Sequence, residues 1–109
     1  MTVADRYTYR VRWSVEDGEH LATIAEFPGL SWLAESAADA FSGLLALVTD
    51  VLADMTETGE TPPAPLGERE YSGKFQVRIP PEAHRRLAID AAEQHVSLNR
   101  LIADRLASA

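Results

Sequence analysis

The segment Lys74-Phe75-Gln76-Val77-Arg78-Ile79 sets a polar, donor-bearing side chain at every second position. Side chains of a β-strand point alternately to its two faces, so Lys74, Gln76 and Arg78 would share one face and Phe75, Val77 and Ile79 the other. The polar face carries the chemistry of base reading. A two-stranded ribbon fits the major groove of B-DNA, where Arg or Lys pairs with guanine and Gln with adenine. Further on, Ser97-Leu98-Asn99 precedes an apolar helical pattern. Free amides at a positive dipole end, beside two short polar side chains, suit a phosphate. Phosphate contacts of this kind fix register, whereas base contacts fix sequence preference.

Other residue types capable of chemistry are arranged less favourably. Glu16 with Asp17, and Asp50 with Asp54, are the carboxylate pairs from which metal-dependent nucleases and acid–base sites are built. The first pair falls in a turn, and the second lies one turn apart on the solvated face of a helix, where charges are ordinary surface. His20, His84 and His95 are too scattered to form a recognisable metal site. There is no cysteine, no glycine-rich phosphate loop and no nucleophile signature. The expectation is a protein with no catalytic residue, no metal and no cofactor.

The base-reading strand needs a scaffold. Pro80-Pro81 ends it and starts a helix, since proline is tolerated at the first helical position and not inside a strand. Ala83, Leu87 and Ala91 fall on one side of that helix, with Arg85 and Arg86 near its outer surface. Ser97 then caps a second helix, in which Leu98, Leu101, Ile102 and Leu106 repeat at three and four. One strand and two short helices bury too little alone, and a lone strand leaves its ladder unpaired, so the module should be a homodimer, with higher oligomers left open. Its core would hold Phe75, Val77, Ile79, Leu87, Leu101 and Ile102.

Upstream, Tyr7 to Trp13 alternates aromatic or β-branched with polar residues, Asp17-Gly18 supplies a turn, and His20 to Phe27 alternates again, which predicts a hairpin. After Pro28-Gly29, Leu30 to Leu33 supplies a third short strand. Ser36 is the expected N-cap of a long amphipathic helix, with Asp39 at the capping-box position and Gly59 at the C-cap. Ala40, Phe41, Leu44, Val48 and Leu52 make its apolar stripe, which reads as core packing on the sheet. The predicted class is α+β, a small three-stranded sheet with one long helix, followed by a ribbon-helix-helix module. The expected divisions are 1–60, a Pro-rich linker over 61–72, and 73–109.

Net charge divides along the same line. The whole chain carries −7. Residues 1–72 hold four Arg against thirteen acids, whereas 73–109 hold six bases against four, so the average hides a basic tail. With no apolar leader near Met1 and no long apolar run, the expectation is a cytoplasmic protein without a membrane partner.

Lys74 to Leu106, KFQVRIPPEAHRRLAIDAAEQHVSLNRLIADRL, resembles the ribbon-helix-helix tail of HicB-type antitoxins. The front resembles the HicB antitoxin domain at Asp17-Gly18, at Phe27-Pro28-Gly29-Leu30 and at the helix start Ser36-Ala37-Ala38-Asp39-Ala40. The resemblance implies a degraded ribonuclease-H-like front domain without catalysis, which binds and blocks a small HicA ribonuclease toxin. It also implies a tail that represses the shared operon by binding operator DNA. A stand-alone ribbon-helix-helix repressor without a toxin is the alternative. Two positions depart from the family pattern: Ala34-Glu35 stands where Gly-Asp is usual, and His95 where the interhelical turn usually has Gly.

Overall fold

In the computed structural model, which describes residues 3–109, the alternating residues after Tyr7 form β1 (Tyr9–Ser14). It runs antiparallel to β2 (Glu19–Ile24), with Val11 opposite Ala22 and Trp13 opposite His20. Gly18, at φ +64°, turns the hairpin, in the left-handed region that favours glycine. Asp17 is consumed in the same turn, where its carboxylate accepts from the Ser14 hydroxyl at 2.8 Å.

The third strand, β3 (Ser31–Ala34), pairs antiparallel with β2 and completes a sheet of order β1-β2-β3. It begins one residue later than the expected Leu30. The Leu30 amide is already donating to Phe27 O at 3.0 Å, inside the turn made by Pro28-Gly29.

The capped stripe becomes α1 (Ala37–Thr58). Ser36 Oγ accepts from the Asp39 amide at 3.0 Å, but Asp39, one methylene shorter than the usual glutamate, makes no return bond among the described residues. Gly59 adopts φ +78°, and the Glu60 amide reaches back to Met55 O at 2.9 Å, a Schellman ending. Ala40, Leu44 and Val48 are fully buried against Ala22 and Ile24 of the sheet. Gly43 lets a large side chain of the sheet lie on the helix: the Trp32 indole occupies the space that a Cβ there would need.

Two compact units result, one ending at Tyr71 and one spanning Ser72–Ala109. The proline segment expected as a linker is in fact strapped to the first unit. Proline supplies no amide donor, so the segment forms no ladder of its own, and side chains flanking the strands can bond its carbonyls and amides. Tyr7 donates its hydroxyl to Pro63 O at 2.8 Å, and Pro65 is buried. Burial pushes the Tyr7 phenol above its usual range, which keeps it a donor.

Glu26 fastens the other end of the strap. Its carboxylate accepts from the Leu66 amide at 2.9 Å and from the Thr8 amide and hydroxyl at 2.9 and 3.0 Å. Burial alone would raise its pKa, but these bonds outweigh it and hold the group below its ordinary 4.5. A depressed carboxylate contributes stability above its unfolded pKa and loses that contribution as pH falls through the folded one. Glu26→Ala is therefore expected to cost about 1.5–3 kcal/mol at neutral pH. In urea titrations the gap to the parent should narrow progressively below the ordinary carboxylate range.

In the second unit, Pro81 starts α2 (Pro81–Glu93) and Ser97 caps α3 (Leu98–Ala107). Between them His95 takes φ +58°, and the Val96 amide donates to Ala91 O at 3.0 Å, again a Schellman ending. The Arg105 guanidinium meets Asp90 at 3.1 Å and ties the two helices. Ala91 and Leu101 are this unit's only buried residues. No helix among the described residues is long and apolar enough to cross a membrane.

Candidate nucleic-acid interface

Lys74 to Ile79 lies outside every helix and ladder, because the chain offers it no partner strand. All six residues are exposed. Phe75, Val77 and Ile79 stand 72, 65 and 41% open to solvent. Three apolar side chains thus stand exposed at alternate positions in a unit with so small a core. Leu87 and Ile102, expected in the same core, are half-buried, and Leu101 is buried.

Lys74, Gln76 and Arg78 alternate with that strip and are equally exposed. Their side chains make no hydrogen bond or ion pair among the described residues, so their donors are available to a ligand. Gly73, at φ +84°, marks where the chain bends into this segment.

At the start of α3, Ser97 Oγ accepts from the Arg100 amide at 3.0 Å. The hydroxyl is thus spent as an N-cap acceptor, yet it keeps its own hydrogen to donate. The Leu98 and Asn99 amides precede the first intrahelical bond and have no acceptor among the described residues. The Leu98 side chain is half-buried, so only its backbone is offered outward, whereas Asn99 is exposed. No hydrogen bond or ion pair among the described residues joins the 74–79 segment to this helix start.

His95 holds the turn that sets α3 on α2, and its left-handed backbone carries a cost of roughly 1–2 kcal/mol for a residue with a Cβ. Glycine would relieve that cost, less its greater entropy when unfolded. His95→Gly is expected to stabilise by up to about 1 kcal/mol and His95→Val to destabilise at least as much, read from thermal unfolding.

Glu26 as a clasp and Gly43 as the seat of Trp32 were not foreseeable from spacing. Each answers to a residue far away in the chain, and neither belongs to a recognisable motif. Among the described residues no group of three or more His, Asp or Glu is placed to hold a metal ion.

No curated protein and no solved structure matches the chain. The front motifs, Asp17 to Ala40, lie outside the matched stretch, which runs from the last turn of α1 through the proline strap to α3. Over residues 56–106 the chain is similar to the HicB family.

Proposed function

We propose that this chain is a HicB-type antitoxin that works as a homodimer. Its tail forms a ribbon-helix-helix module in which paired 74–79 segments enter the major groove of operator DNA and repress the operon. Its first unit, a degraded ribonuclease-H-like fold, binds and blocks a HicA-like ribonuclease toxin and catalyses nothing itself.

The observation that carries this reading is the exposed strip Phe75, Val77 and Ile79, set immediately before a proline-started helix within the stretch similar to the HicB family. Pairing two such strands antiparallel would satisfy both ladders, bury both strips on four helices and turn two copies of Lys74, Gln76 and Arg78 outward. Ser97, Leu98 and Asn99 would then grip phosphates beside the groove. The first unit's acidic balance suits a basic, RNA-cleaving partner.

A stand-alone repressor remains the second reading, favoured by the fact that the matched stretch leaves all three strands outside it. The product of the neighbouring open reading frame separates the two. Mixed with this chain, it is expected to lose its RNA cleavage, while this chain alone, given magnesium or manganese, leaves RNA intact. Undiminished cleavage in the mixture favours the repressor, and metal-dependent cleavage by this chain alone overturns the non-enzymatic reading.

A further inference from the structure

The outer edge of β1 presents main-chain groups that the first unit does not use. The Ala25 amide donates to Thr8 O at 3.0 Å, in phase with the ladder that sets Arg10 opposite Thr23 and Arg12 opposite Leu21. In an antiparallel pair every second residue bonds its neighbour, so the N–H and C=O of Val11 and Trp13 point away from β2. Nothing outside the ladder bonds to them among the described residues.

Side chains flank this edge in two distinct rows. On the face toward α1 stand Val11 and Trp13, 37 and 52% exposed, and Phe41 of α1, 37% exposed, lies edge-on to Tyr9 of the same strand. On the opposite face stand Arg10 and Arg12, both exposed. Although the unit is strongly acidic, neither arginine is paired with a carboxylate among the described residues. A six-residue edge strand thus carries an apolar row, a cationic row and free backbone groups between them.

We propose that β1 is a docking edge for an extended segment of a partner protein, added as a further strand, whose acidic residues face Arg10 and Arg12 and alternate with apolar residues facing Val11 and Trp13. A second copy of β1 fits badly. Centred on Val11, self-pairing sets Arg10 against Arg12 twice; shifted by two residues either way, it sets Arg10 against Arg10 or Arg12 against Arg12. Like charges directly opposite are destabilising. A nucleic acid would leave the strand's N–H and C=O row unused and would approach a unit of net negative charge. The proposal stands on β1 alone and needs neither an operator nor a toxin.

The test titrates the full chain with an eight-residue peptide alternating valine and glutamate, and with its valine–lysine counterpart, following the amide resonances of Val11 and Trp13. The glutamate peptide is expected to shift both, and the lysine peptide to bind roughly tenfold more weakly. Val11→Pro removes an outward N–H without touching the β1–β2 ladder, so it should abolish binding with the remaining spectrum retained. The double variant Arg10→Glu/Arg12→Glu should reverse the peptide preference. No shift, equal binding of the two peptides, or undiminished binding by Val11→Pro overturns the proposal. Shifts that instead follow protein concentration alone, or added single-stranded RNA but not peptide, overturn it in favour of a second copy or a nucleic acid.

Discussion

Arg78→Ala is expected to abolish operator binding at physiological salt while leaving the dimer intact. Each arginine–guanine pair discriminates by about 1–3 kcal/mol, and a symmetric dimer loses both copies at once, so affinity should fall by about 30-fold at the least. The dimer survives because Arg78 lies on the row opposite Phe75, Val77 and Ile79 in the strand's alternation. Asn99→Ala is the control with a different signature. A phosphate contact carries no sequence information, so its loss should weaken operator and random duplex by similar factors. Mobility-shift titrations of both variants on both DNAs separate the roles. Unchanged operator affinity in Arg78→Ala, with fold and dimer preserved, removes the strand from the recognition surface.

Val77→Asp should have the largest effect on assembly. In the proposed ribbon both valines leave water, and losing that burial removes roughly 3–6 kcal/mol before the cost of burying two carboxylates is counted. The variant should sediment as a monomer at concentrations where the parent is dimeric, and should not bind operator. A chain ending at Tyr71 should behave likewise, since it lacks the strip altogether. That end point respects the strap: Pro65 is buried, the Leu66 amide is held by Glu26, and the Tyr71 hydroxyl donates to Leu66 O at 2.9 Å. Dimerisation of the shortened chain as tight as the parent's would move the association surface to the first unit.

Local signals were legible and distant ones were not. Asp17-Gly18, Ser36, Gly59, Pro81 and Ser97 each act through groups within a few residues of themselves, and each stands in the structure where its chemistry predicted. The αα turn held despite His95, because a Schellman ending asks only for a left-handed residue at that place. The proline-rich segment reads in sequence as a linker, but its attachment to the first unit does not. Proline-rich composition marks a break in regular structure but says nothing of what the segment lies on, and its anchors, Tyr7 and Glu26, are 56 and 40 residues from their acceptor and donor. The 74–79 segment is legible as an alternating pattern, yet it stands outside every ladder of the chain, and the pairing proposed for it needs a second molecule.

Amide hydrogen exchange over Lys74 to Ile79 in the full chain tests the central claim most directly. A paired ribbon predicts slow exchange at the ladder amides of this segment, with protection that fades on dilution as the dimer dissociates. Exchange at the rate of an unstructured peptide at every concentration, from a chain that sediments as a monomer, would contradict it.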